Sequence, residues 1–201
     1  MKTILVLIIT CVSLTTANCQ TADDWFDSGN SKLSHLNHGG AMADYNKAIE
    51  LDSNYVSAYV MRGTVKCVLQ DYRGGIADYS KAIELDSNSA YIYFNRGIAK
   101  DELQDFKGAI ADFSKAIELD PNNAVAYFNR GALKDNSQDF KGAMADFTKV
   151  IELDPRYTDA YFYRGALKLL FGQKDSGCLD LSKAGELGHE DAYDMIIERC
   201  N

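Results

Sequence analysis

Three histidines, five cysteines and 29 acidic residues are the side chains of this chain that could do chemistry, and their spacing limits what that chemistry is. His35 and His38 stand three apart, a helical spacing that sets two imidazoles on one face, as a metal site needs. No third ligand lies nearby, so no metal site is expected, and the two histidines are assigned to the closing of a helix hairpin. The acids of the Glu-Leu-Asp runs recur from unit to unit, whereas a catalytic pair is needed once. The sequence has no Gly-x-Gly-x-x-Gly and no phosphate loop. The expectation is a chain that is not an enzyme, with no catalytic residues and no cofactor.

Cysteine chemistry depends on compartment. Residues 1–19 read as a secretory signal peptide: Lys2, an apolar run from Ile4 to Val12, then Thr, Ala and Asn. The run is shorter than the ~20 apolar residues of a membrane span. A buried first helix is the alternative. Cleavage fits after Cys19 or after Ala17, and acylation of Cys19 is a further option, against which Asn18 stands where a bacterial lipobox carries Gly or Ala. The chain is therefore expected to be exported, to a periplasm, a cell surface or the medium. Cleavage after Cys19 leaves Cys67, Cys178 and Cys200, two of which can pair in an oxidising compartment. Loss of Lys2 takes the net charge from −8 to −9, which argues against nucleic acid or an anionic membrane as partner. A hydrophobic content of 46% suffices for a core.

The elements that must position these groups follow a 34-residue period. Lys-Ala-Ile-Glu-Leu-Asp occurs at Lys47–Asp52, Lys81–Asp86 and Lys115–Asp120, returns at Lys149–Asp154 with one change, and again, degraded, at Lys183–Leu187. Such a period means stacked supersecondary units, none able to bury its apolar face alone. With Ala22, Val56, Ala90, Ala124 and Thr158 as position 1, position 8 is glycine in all five units: Gly29, Gly63, Gly97, Gly131 and Gly165. Glycine inside a helix costs about 1 kcal/mol against alanine, so five in register imply two helices in close approach. Small residues at positions 20 and 27 face large ones at 4 (Trp25, Tyr59, Tyr93, Tyr127, Tyr161) and 24 (Tyr45, Tyr79, Phe113, Phe147, Leu181). Helix A is expected over positions 2–14 and helix B over 18–31. Asp71, Asp105 and Asp139 at position 16 would cap helix B, and Pro121 and Pro155 at position 32 would end it.

This pattern of aromatic and small residues with proline, seen in full in Tyr93, Gly97, Phe106, Ala109, Phe113, Ala116 and Pro121, resembles the tetratricopeptide-repeat (TPR) family. The resemblance covers about 170 residues and implies an all-α, right-handed superhelical solenoid of helix-turn-helix repeats with a C-terminal capping helix. Its units fall at 22–55, 56–89, 90–123, 124–157 and 158–188, with the cap at 189–201. Departures gather at the ends: His38 and Lys174 replace the position-17 aromatic, and Ser53, Ser87 and His189 replace the proline. The leader and the Asn-Arg-Gly style of the repeats resemble exported bacterial members.

The family binds peptides on a concave surface lined by positions 2, 5, 6, 9, 12 and 13 of the A helices. The resemblance thus gives a candidate groove of Phe26, Val60, Met61, Phe94, Asn95, Ile98, Phe128, Asn129, Phe162 and Tyr163, with Asp101, Glu102 and Asp135 beside it. Such a wall suits a protein or peptide segment with apolar and basic side chains; packing between neighbouring A helices is the competing role for the phenylalanines. The family's clamp for C-terminal carboxylates lacks its cations here, with Phe26, Asn30, Met61, Tyr91 and Asn95 in those places. The chain is expected to be a non-catalytic interaction scaffold; the alternative is a structural subunit of a cell-envelope complex that assembles through its solenoid ends.

Two further expectations come from the residues. Arg62, Arg96, Arg130 and Arg164 at position 7 face Asp78, Asp112, Asp146 and Asp180 at position 23 across the turn, as ion pairs, with Ser28 leaving Asp44 without an arginine. Asp191-Ala192-Tyr193 echoes Asp159-Ala160-Tyr161 and opens a last helix with no partner to follow. Cys178 and Cys200 lie 10 and 12 residues from Gly188 on opposite arms. At 1.5 Å rise per residue they reach nearly the same height and can close a disulfide; two inert helix cysteines are the alternative.

Overall fold

The computed structural model describes residues 20–200, so the expected leader at 1–19 lies outside the described residues. Five hairpins follow one another: α1 (Ala22–Ser34) with α2 (His38–Leu51), α3 (Val56–Val68) with α4 (Tyr72–Leu85), α5 (Ala90–Glu102) with α6 (Phe106–Leu119), α7 (Ala124–Asn136) with α8 (Phe140–Leu153), and α9 (Thr158–Leu170) with α10 (Lys174–Glu186). A last helix, α11 (Ala192–Arg199), packs on α10. Each odd helix packs on its even partner, and each even helix on the next odd one, so the core runs as a strip along the stack.

Local chemistry sets the helix ends. Full-length hairpins occupy positions 1–13 and 17–30, one residue earlier than expected. Asp71, Asp105 and Asp139 accept the amides of Gly74, Gly108 and Gly142, and Asn37 does the same for Gly40. Just before each cap, position 15 turns left-handed: Leu36, Gln70, Gln104 and Gln138 have φ of 59–65°, and Gly172 has 73°. That conformation sends the amides of positions 15 and 16 back to helix A, as Gln104 N to Asp101 O at 2.7 Å and Asp105 N to Lys100 O at 2.9 Å. Four side chains thus sit where glycine is cheapest.

The repeated Lys-Ala-Ile-Glu-Leu-Asp has a structural account. Its lysine and glutamate pair one turn apart on the surface, as in Lys81–Glu84 and Lys115–Glu118. Its alanine is fully buried, as Ala48, Ala82 and Ala116. Its aspartate folds the exit turn, with Asp86 Oδ1 accepting Asn88 N and Asp120 Oδ1 accepting Asn122 N.

The position-8 glycines lie where helix B crosses. A Cβ on Gly97 would stand 2.9 Å from the Phe113 ring, and one on Gly131 3.0 Å from Phe147. The rings at position 24 fill the hairpin interior, with Tyr45, Tyr79, Phe113 and Phe147 at most 2% exposed.

The expected ion pairs form, and they are interior. Arg62, Arg96, Arg130 and Arg164 each grip their aspartate through Nε and Nη2 at 2.6–2.9 Å, and the carboxylates at position 23 are only 3–7% exposed. A lysine at position 11, Lys66, Lys100, Lys134 or Lys168, adds a second cation at 2.7–2.8 Å. In the first unit Asp44 takes Ser28 Oγ and Lys32 Nζ, both at 2.6 Å. The arginines also reach backwards, Nη1 meeting Asn46, Ser80, Ser114 or Thr148 of the preceding unit at 2.7–3.2 Å. Each guanidinium lies over the position-4 tyrosine of its own helix, 5.3–5.8 Å from the centroid.

The fifth hairpin closes early. Ala192 is fully buried like Ala160, 32 residues earlier, so the packing register returns two residues short of the 34-residue period even though α11 itself begins at Ala192. His189 consequently does not stand in a proline position. It falls where Tyr55 and Tyr157 precede their A helices and stacks on Phe162 at 3.9 Å between centroids. Cys178 and Cys200 form a disulfide, Cα–Cα 5.9 Å, tying the start of α10 to the end of α11. Cys67 is a free thiol.

Three outcomes are expected. Gly97→Leu and Gly131→Leu each lose about 1–3 kcal/mol or more by denaturant titration, while Lys107→Leu, on an exposed helix start, changes little. Arg130→Met takes the two-pronged grip from the interior Asp146, leaves Lys134 alone to meet it and costs more than about 1 kcal/mol, whereas Lys149→Met, in an exposed pair, stays within about 0.5 kcal/mol. Chain beginning at Gln20, denatured without reductant, titrates with one reactive thiol, and Cys200→Ser lowers stability by about 3 kcal/mol.

Candidate functional site

The A helices present a common face to which positions 2, 5, 6 and 9 contribute. On it the position-5 rings lean on the buried position-24 rings: Phe26 on Tyr45 at 5.8 Å, Phe94 on Phe113 and Phe128 on Phe147, both at 5.7 Å. They are half-buried, so packing and surface roles coexist in each ring.

What covers the outer side of these rings differs by unit. The residue preceding the next A helix, position 34, is Tyr55, Ser89, Asn123 and Tyr157 in the first four units, with His189 in the corresponding place of the fifth. Tyr55 lies 5.1 Å from Phe26, Tyr157 4.9 Å from Phe128, and His189 stacks on Phe162. Those three phenylalanines are covered by the chain itself. Ser89 and Asn123 supply no ring, and Asn123 instead caps α7 through the amide of Ala126. The stripe is therefore open at the second and third units.

At the second unit the opening deepens. Val60 takes the place of a phenylalanine and is 8% exposed. The missing ring and the small Ser89 leave a cavity of about 360 Å³ walled by Phe26, Val56, Val60, Met61, Tyr91 and Ile92, with Ser57, Asp86 and Ser89 as its polar residues. Beyond it Tyr91 and Ile98 are 55% and 38% exposed, and Asn95 donates to Tyr91 O at 2.7 Å. Of the expected groove residues, Phe26, Val60 and Met61 meet in this cavity. Phe128, Phe162 and Tyr163 form a separate aromatic run, with Tyr163 5.9 Å from Phe128 and 5.6 Å from Phe162. Phe94, Asn95 and Ile98 lie on the intervening unit, and Asn129 is half-buried on the fourth.

Electrostatics on this face are acidic. Asp101 and Asp135, at position 12 of adjacent units, have their carboxyls raised by burial, and Glu102 adds to the shift of Asp101. No cation pairs with either among the described residues. Tyr55, half-buried, is pushed up to about 12 by partial desolvation and by donating to Asp23 Oδ1 at 2.7 Å. Burial also raises the Cys67 thiol.

A second cavity, about 490 Å³, opens between α9 and α11, lined by Ala166, Leu169, Leu170, Met195, Glu198 and Arg199. The described α11 has eight residues, where the other A helices have thirteen. Among the described residues no three histidine, cysteine or acidic side chains are grouped as a metal would need, and no helix is long and apolar enough to cross a membrane.

Comparison with known proteins agrees with this architecture. Tetratricopeptide-repeat families match residues 90–123, 63–100 and 113–145. No curated protein matches in sequence. Among solved structures, MamA is 25% identical with a TM-score of 0.79 over 87% of this chain and 95% of its own. YrrB, described as a TPR protein with an unusual peptide-binding site, is 26% identical with a TM-score of 0.78 over 88% of this chain and 92% of its own. PilF of Pseudomonas aeruginosa, at 18% identity, a TM-score of 0.73 and coverage of 88% and 80%, shares the fold. With family matches in three overlapping segments and an all-helical stack like these neighbours, this chain is a tetratricopeptide-repeat protein.

Proposed function

We propose that this protein is a non-catalytic interaction scaffold that holds an extended peptide or protein segment along the concave face of its A helices. The segment carries alternating apolar and basic side chains. The observation that carries this reading is the open stretch of the second and third units, where Tyr91 and Ile98 are exposed, together with the half-buried Asp101 and Asp135 of the third and fourth units, with which no cation pairs among the described residues. A net charge of −8 makes nucleic acid a poor partner. The YrrB likeness supports a peptide ligand in general terms. Export through a leader at 1–19 belongs to the same reading; it is supported by the apolar run behind Lys2 and by the Cys178–Cys200 bridge, which suits an oxidising compartment.

The C-terminal cavity favours a second reading, assembly through the solenoid ends. Leu170 and Phe171 are 65% and 50% exposed beside it. Sedimentation separates the two: a concentration-dependent dimer abolished by Leu170→Lys supports assembly, and a monomer at all concentrations removes it.

The groove reading is tested with a fluorescein-labelled peptide of alternating leucine and lysine. It binds the wild-type chain, and Asp101→Lys with Asp135→Lys weakens it by about tenfold or more, with an unchanged circular-dichroism spectrum. Equal affinity of the double variant overturns the reading.

The same carboxylates give a pH prediction. Burial raises them above the ordinary aspartate range, so the folded state penalises their ionised form, and stability is lost as pH rises through their folded values. Asp101→Asn and Asp135→Asn therefore melt higher than wild type at pH 7, and the gain closes in acid, once the wild-type carboxyls are protonated. Melting curves across pH read this directly.

A further inference from the structure

We propose that the Val60 cavity is an anchor subsite for one tryptophan side chain of the bound segment, a specificity that rests on the groove reading and deepens it. The three self-covered units show how this fold seats a ring. In each, a phenylalanine at position 5 receives a second ring, Tyr55, Tyr157 or His189, at 3.9–5.1 Å between centroids. The second unit lacks both members of that pair, having Val60 and Ser89 instead. The space left is the cavity of about 360 Å³, open to the face along which the segment runs. A partner's ring replaces what the chain omits.

The walls select among rings. Phe26 and Tyr91 offer aromatic faces and edges, and Val56, Val60 and Ile92 offer aliphatic surface. Met61 adds a thioether, which contacts aromatic rings favourably. The polar side of the cavity accepts hydrogen bonds. Asp86 engages Oδ1 with the Asn88 amide, and its carboxylate has further acceptor sites, while the Ser89 side chain makes no cap to its own helix. An indole fits this arrangement, being the largest ring, with an N–H that donates and nothing that must accept. The third unit does not offer the same seat, because Phe94 occupies the place that Val60 leaves empty and leans on Phe113.

The test uses three labelled peptides, Lys-Leu-Lys-X-Lys-Leu-Lys with X as tryptophan, leucine or alanine, against wild type, Ser89→Tyr and Val60→Phe. Ser89→Tyr rebuilds the ring that the first and fourth units carry, and Val60→Phe restores the residue found in the other four; each fills the cavity from the protein's side. For wild type, the tryptophan peptide is expected to bind about tenfold or more tighter than the alanine peptide, with leucine between. In either variant that preference collapses to about twofold or less, while affinity for the alanine peptide is kept. N-acetyltryptophanamide, titrated into protein carrying ¹³C-methyl methionine, shifts the Met61 signal in wild type and not in Ser89→Tyr. Peptides that bind without regard to X, or a preference that survives both substitutions, overturn the subsite and leave the groove standing. Failure of all three peptides to bind, with Met61 unmoved, overturns both.

Discussion

Each repeat buries one carboxylate, and the arrangement of the whole stack follows from keeping that charge satisfied. An unpaired buried carboxylate costs several kcal/mol, so the position-23 aspartates have to be met wherever the hairpin closes. Arginine meets them with a two-pronged grip, lysine completes the shell, and the tyrosine under the guanidinium fixes the plane of the fork. These demands fix the height at which helix B passes helix A, and therefore the glycine at position 8, next to the arginine in sequence. The spare nitrogen of the guanidinium then sets the height of the preceding unit. One interior charge per repeat thus specifies geometry both within a hairpin and between hairpins.

Much of this was legible from the residues alone. The glycine column, the aspartate caps and the arginine–aspartate pairs announce themselves by recurring in register, and recurrence is the signal that sequence carries best. The disulfide followed from helical rise counted outward from Gly188. Less visible was the lysine at position 11: it reads as ordinary surface charge, although Lys100 and its counterparts reach interior carboxylates. The left-handed turn at Gln70, Gln104 and Gln138 was hidden, because no glycine marks it. His189 was placed two residues out of register by counting 34 from Thr158, although the echo of Asp159-Ala160-Tyr161 in Asp191-Ala192-Tyr193 already marks a unit two residues short. The open stretch of the groove arises from a column that does not recur, tyrosine, serine, asparagine, tyrosine, and irregular columns are the ones a repeat alignment discards.

The candidate site is therefore a departure from the architecture. Where the chain obeys its own rule it covers its rings, with tyrosine at both flanks and histidine at the end. Where it breaks the rule it leaves apolar surface and a cavity on one face, beside carboxylates whose burial is unfavourable to their charge. The residues that hold the solenoid together and those that open the candidate site belong to different columns of one pattern, so they can change independently.

The two ends of the stack are not equivalent. At one, a covalent bridge ties the last full hairpin to the helix that shields it, and Arg164 holds the fourth and fifth units together. At the other, Ser28 stands where an arginine would be, and no earlier unit exists among the described residues for it to grip. A one-dimensional stack frays from its ends, and here one end is riveted. Unravelling under heat or pulling force thus acquires a direction, from α1 and α2 toward the bridge, with amide exchange fastest in the first hairpin and slowest beside the crosslink. Anything seated over the second and third units lies in the path of that peeling, so a bound segment would act as a brake on it.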